Sequence, residues 1–208
     1  MLVNAGQAYS DNPIDVYALF QRDNTVIPLS FWSLDDKEIQ IDNILGQQNA
    51  ATFKTKGIGE RYKIRARNVV SYLFRIGDQW YMGLPSDDMR IPGIHTKYTG
   101  EYYGDKIIID ARYDNPYKFS VDVAAVCYAI GDVIPIAFSI NNGRVLEIDQ
   151  VMNWERAASL TAGIMGMRYS IRVRDKETYL YRDDDLWFME NKKIAHTHVL
   201  DVHGRPVE

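Results

Sequence analysis

The feature that most constrains this chain is that it repeats itself. Shifted by 107 positions, VIPLSF (26–31) falls on VIPIAF (133–138), IQIDNIL (39–45) on LEIDQVM (146–152), and RYKIRARNVVSYLFRIGDQW (61–80) on RYSIRVRDKETYLYRDDDLW (168–187). From Ile14 to Met82 against Val121 to Met189, 23 of 69 aligned positions are identical without a gap. Such self-similarity reads as a duplication. Two copies of about 70 residues are too few and too long for a solenoid, and each is large enough for a small core of its own. The expected organisation is a first β repeat over 1–83, a linker over 84–105 punctuated by Pro85, Pro92, Gly93, Gly100 and Gly104, a second β repeat over 106–190, and a tail over 191–208.

Each copy patterns as short strands. Ile39 and Ile41 alternate with Glu38, Gln40 and Asp42, and Leu146 and Ile148 alternate with Glu147 and Asp149, the period of a half-buried strand. Further strands are expected near 15–21, 26–32, 61–67, 71–76 and 79–82, with counterparts 107 residues later. Fourteen Tyr, seven Phe and four Trp suit pleated surfaces. Asn141-Asn142-Gly143 offers hairpin chemistry. The expected fold class is mainly β: a tandem duplication of a small antiparallel barrel or rolled sheet, SH3-like in size. NAATFKTKGIGE (49–60) and ERAASLTAGIMGM (155–167) read as a short helix or a long loop in each copy. Gly59 and Gly166 match within them, as an anion-receiving loop or a left-handed turn.

Beginning at Arg61, an extended strand puts Arg61, Lys63, Arg65 and Arg67 on one face and Tyr62, Ile64 and Ala66 on the other. The second copy gives Arg168, Ser170, Arg172 and Arg174 against Tyr169, Ile171 and Val173. Arg75 and Arg182 follow on the next strand, where hairpin registry would bring each beside its basic row. Arginine's planar fork suits carboxylate and phosphate, so these residues form candidate anion-binding faces. The alternative is internal pairing with Asp42 and Asp149, which also recur. Trp80 and Trp187 match and read as core. Trp32 and Trp154 do not match anything aromatic, and an exposed one would serve as a partner anchor.

Catalytic chemistry finds little support. Neither copy contains a histidine, so a histidine-based triad cannot lie within one. His95 falls in the linker; His196, His198 and His203 fall in the tail HTHVLDVH and are the only weak metal candidates. Asp183-Asp184-Asp185 reads as a solvated turn, and Asp78 and Asp185 as turn residues. Cys127, the single cysteine, lies in the apolar strand VAAVCYAI and reads as an inert buried thiol. One cysteine also excludes internal disulfides and points to a reducing cytosol. No apolar run approaches a membrane span, and the start MLVNAGQAYSDNP lacks a signal peptide's regions. With 24 basic against 28 acidic residues, the net charge of −4 disfavours wholesale attraction to polyanions.

The second copy, through RAASLTAGIMGMRYSIRVRDKETYLYRDDDLWFME (156–190), resembles small single-copy β-domain proteins of clostridia and related bacteria. The resemblance rests on the Ala-Ala-Ser stretch, a glycine loop, Arg-Tyr opening a strand, a Tyr-Leu-aromatic strand and a closing Trp-Phe. It implies a bacterial or phage origin and no mechanism. Three functional readings follow. The first is a cytoplasmic, non-enzymatic binding protein that needs no cofactor and whose two β modules engage a macromolecular partner, a protein foremost. One form of it is a phage or mobile-element inhibitor of a bacterial defence nuclease, such as an anti-CRISPR. The second is nucleic-acid binding through the two arginine-rich faces, and the third a metal-dependent hydrolase using the tail histidines.

Overall fold

The computed structural model describes residues 9–33, 35–51, 58–83, 118–140, 143–158 and 165–190. The expected linker over 84–105 and tail over 191–208 lie outside the described residues, as do the centres of the two loop-or-helix segments. The described residues hold fifteen strands and no helix: β1 (Tyr9–Ile14), β2 (Val16–Phe20), β3 (Val26–Trp32), β4 (Glu38–Gln40), β5 (Asn43–Ala51), β6 (Ile58–Ala66), β7 (Val69–Ile76), β8 (Gln79–Gly83), β9 (Lys118–Cys127), β10 (Val133–Ser139), β11 (Val145–Glu147), β12 (Gln150–Ala158), β13 (Met165–Val173), β14 (Lys176–Asp183) and β15 (Leu186–Glu190). From β3 to β8, every strand has a counterpart with the same bounds 107 residues later. No helix here is long and apolar enough to cross a membrane.

The strands form two antiparallel sheets, of five and ten strands, and neither closes into a barrel. The mainly β expectation holds; of the two forms expected, small barrel or rolled sheet, the closed barrel is corrected to open sheets among the described residues. The reason is visible at β5 and β12, each of which ends a run of strands instead of returning to its beginning. These two strands were also missed in the sequence. They begin ahead of the two loop-or-helix segments, run into them at 49–51 and 155–158, and pair with β6 and β13 through a bulge, at Ile44/Gly46 and Val151/Asn153.

By contacts the chain divides into two compact units, and neither is one continuous stretch. The first unit comprises 1–19, 27–96 and 124–134; the second comprises 20–26, 97–123 and 135–208. Each unit thus takes the bend of a hairpin from the other half of the chain. In the first unit, the bend over 124–134 is fastened by Asp15, whose Oδ1 accepts the Ala129 N–H at 2.7 Å, and by Gln79, which donates to the Ala129 carbonyl at 2.9 Å. In the second, the bend over 20–26 is fastened by Asp122, the counterpart of Asp15. Its Oδ1 accepts the Arg22 N–H at 2.9 Å and its Oδ2 the Ser139 hydroxyl at 2.8 Å, while Arg22 Nη2 donates to the Ser139 carbonyl and hydroxyl at 3.1 Å.

The first unit's sheet runs β1-β8-β7-β6-β5. Its core face collects Tyr62, Ile64, Leu73 and Trp80, all fully buried, with Tyr62 and Trp80 ring centroids 5.2 Å apart. The second unit's run β12-β13-β14-β15-β9 repeats this with Tyr169, Ile171, Leu180 and Trp187, the Tyr169 and Trp187 centroids lying 5.1 Å apart. Each large aromatic here removes much apolar area from water and so stabilises its unit. Cys127 is buried and unbridged.

Candidate anion-binding face

Alternation on β6 does what the sequence implies: Tyr62, Ile64 and Ala66 are buried, Arg61 is half-buried, and Lys63 and Arg65 are exposed. Arg67 and Arg174 leave the row. Both strands stop one residue earlier, and Arg67-Asn68 (φ 48° and 63°) and Arg174-Asp175 (φ 49° and 61°) form two-residue hairpin turns of type I′ sense. Asp149 Oδ2 accepts the Arg174 backbone N–H at 2.6 Å, so this recurrent aspartate caps the turn. Asp42 meets Arg65 through its own backbone N–H, which donates to the Arg65 carbonyl at 2.8 Å. The expected pairing of Asp42 and Asp149 with arginine side chains is replaced by these backbone contacts.

Arg75 and Arg182 also need correction. Register sets Arg75 opposite Glu60 and Arg182 opposite Met167, so both share the core face with Tyr62 and Tyr169, away from the basic row. Each is only 6% exposed. Arg75 donates to Glu60 Oε2 at 3.1 Å, an oxygen that also accepts the Tyr62 hydroxyl at 2.8 Å, and its guanidinium lies 5.8 Å from the Trp80 ring. Arg182 pairs with Asp185 at 3.7 Å and sits 5.3 Å from the Phe20 ring and 5.6 Å from that of Trp187. The acidic turn is therefore not wholly solvated: Asp185 serves Arg182. Both arginines are part of the core.

What remains is one row per unit, and the two rows differ. In the second unit Arg168 is bound by Glu155 directly opposite on β12, stacks 5.1 Å from the Tyr179 ring, and has its pKa raised chiefly by the hydrogen bond to that carboxylate. Arg172 pairs with Glu177 directly opposite on β14 at 3.1 Å, and with the Gln150 amide oxygen at 3.1 Å. In the first unit the position facing Arg61 is Gln48, and the position facing Arg65 is Val70. Arg61 keeps the aromatic partner, lying 4.9 Å from the Tyr72 ring. No ion pair joins Arg61, Lys63 or Arg65 to another described residue.

The first row is thus a patch of three cations bordered by Gln48, Asn43, Val70 and Tyr72, with no carboxylate facing it across β5 or β7. Alternate residues on a strand lie about 7 Å apart. Through water, neighbouring charges at that spacing repel by roughly 0.6 kcal/mol. The fold can carry that cost, and an external anion would relieve it. In the second unit the carboxylates are built in.

Of the two unmatched tryptophans, Trp32 is half-buried at the end of β3, and Trp154 is 41% exposed on β12. Neither lies on the first unit's cationic strand. Gly166 is no anion loop: it lies within β13, where an added Cβ would come within 2.2 Å of the Arg182 carbonyl oxygen. His196, His198 and His203 lie outside the described residues, and among the described residues no group of three His, Cys, Asp or Glu side chains is placed to hold a metal ion. Sequence reasoning overlooked Glu155 and Glu177. Their signal was present in the pairs Gln48/Glu155 and Val70/Glu177, aligned by the 107-residue shift, where one position has a charge and the other has none. No protein-family model, curated protein or solved structure matches the chain.

Proposed function

We propose that this chain is a non-enzymatic binding protein that engages an anionic surface of a macromolecular partner, a protein, through Arg61, Lys63 and Arg65 of its first unit. The observation that supports it is the difference between the two rows. Two units with coincident strand bounds are the expected products of one duplicated module. In that reading the second unit keeps its arginines occupied with Glu155 and Glu177, whereas the first offers the same positions without counter-charges. Folding needs alone do not account for such an arrangement, because the second unit's sheet keeps the same register with its cations neutralised. A protein partner fits better than bulk nucleic acid, since three cations on a chain of net charge −4 give local complementarity and little long-range attraction to a polyanion.

The test is capture from a nuclease-treated bacterial lysate by three forms of the full chain: wild type, Arg61→Gln/Lys63→Gln/Arg65→Gln, and Arg168→Gln/Arg172→Gln. A protein retained by the first and third forms and lost by the second supports the reading. Equal capture by all three, or a partner that disappears on nuclease treatment, contradicts it.

A further inference from the structure

Resting on that reading, we infer that the partner docks as an extended acidic segment added to the free edge of β5, with its alternate carboxylates over the Arg61, Lys63 and Arg65 row. Among the described residues β5 pairs with β6 alone and ends the sheet order. It is nine residues long, about 30 Å of strand, and its side chains from Asn43 to Asn49 are exposed. Natural edges of this kind are commonly guarded by charge, proline or a bulge. β5, NILGQQNAA, has neither a charge nor a proline, and its single bulge lies at Ile44/Gly46. Beyond the bulge, pairing with β6 is regular from Gly46 to Ala51. The corresponding strand of the second unit, β12, carries Glu155 and Arg156 in that same stretch. The unit whose cations lack counter-charges is therefore also the unit whose edge is unguarded.

Between that edge and the row, the Gln48 amide oxygen accepts from Arg61 Nε at 3.0 Å and Nη2 at 2.7 Å, so an incoming carboxylate competes there with a neutral amide and not with a built-in charge. Facing Arg65, Lys63 and Arg61 on β5 are Asn43, Gly46 and Gln48, all uncharged, and a Cβ at Gly46 would meet nothing within 4 Å. An added strand would lie two strand spacings, about 10 Å, from β6. An arginine and a glutamate reaching toward one another span that distance. Main-chain hydrogen bonds would supply affinity and the alternate carboxylates the selectivity, which is how strand addition works elsewhere.

Selection of random decapeptides on the full chain, with counter-selection on Arg61→Gln/Lys63→Gln/Arg65→Gln, tests this. The expected consensus has acidic residues at alternate positions. Binding of such a peptide should slow hydrogen exchange at the amides of 46–51 and weaken at least tenfold when alternate peptide nitrogens are methylated. An enriched acidic peptide that binds equally well when methylated overturns strand addition and leaves the anion-binding reading standing. Failure to enrich any acidic peptide, with an oligo-dT probe bound instead, overturns the protein partner as well. Failure of both probes to bind overturns the anion-binding reading itself.

Discussion

Arg75 and Arg65 carry the same charge ten residues apart and do opposite work. Arg75 is held by Glu60 and lies against Trp80, so truncating it leaves a partly buried carboxylate without its cation, with the Tyr62 hydroxyl and the Gln47 amide still donating to it. Arg75→Ala should therefore cost about 2–4 kcal/mol of stability, read as a fall in the urea midpoint, and leave partner binding per folded molecule unchanged. Arg65→Ala should leave the midpoint within about 0.5 kcal/mol and weaken binding. The opposite assignment would show that the basic face is structural. Tyr181 gives a second, pH-dependent test. Burial, then the neighbouring Glu190 carboxylate, push its phenol from 10.0 up to about 12, against a lowering by Arg168. Because the raised pKa favours the neutral phenol in the folded state, this contribution is full below pH 10 and is lost as pH climbs toward 12. Stability should drop over that window in the wild type and drop less in Tyr181→Phe, followed by denaturant titration at each pH. Equal losses in both would place the alkaline sensitivity elsewhere.

At the level of elements, the strands whose faces divide cleanly into apolar and polar were legible in the sequence, and those without such a division were not. β6 and β13 alternate strictly because one face meets the core. β5 lies at an edge with its described side chains exposed, so selection for burial left no period in Asn-Ile-Leu-Gly-Gln-Gln-Asn. Arg67 looked like the fourth member of a row because alternation alone does not say where a strand ends; the positive φ of the turn does. Arg75 looked basic-facing because its face depends on hairpin register, which an unseen two-residue turn sets. The candidate site was legible as residues, and its asymmetry only once Glu155 and Glu177 were seen opposite the second row. The exchanged hairpin bends left one trace, the recurrence of Asp15 as Asp122. Asp122→Ala removes acceptors from the Arg22 N–H and the Ser139 hydroxyl and should cost about 1–3 kcal/mol. A urea midpoint unchanged from wild type would show that the bend does not depend on Asp122.

For the whole molecule, the proposed role rests on charge placement: the second unit supplies carboxylates to its own arginine row, and the first does not. The fold tolerates either version, since the same register accommodates Gln48 or Glu155 opposite an arginine and Val70 or Glu177 opposite another. The central claim is therefore tested most directly by exchanging those residues. Affinity for the captured partner, or for the selected acidic peptide, is measured in Gln48→Glu/Val70→Glu and in Glu155→Gln/Glu177→Val. The first pair, which gives the first unit the second unit's carboxylates, should lower affinity at least tenfold with no loss of fold, and the second pair should leave that affinity in place while adding a salt-sensitive anion site on the second unit. Undiminished binding in the folded Gln48→Glu/Val70→Glu variant would contradict that claim.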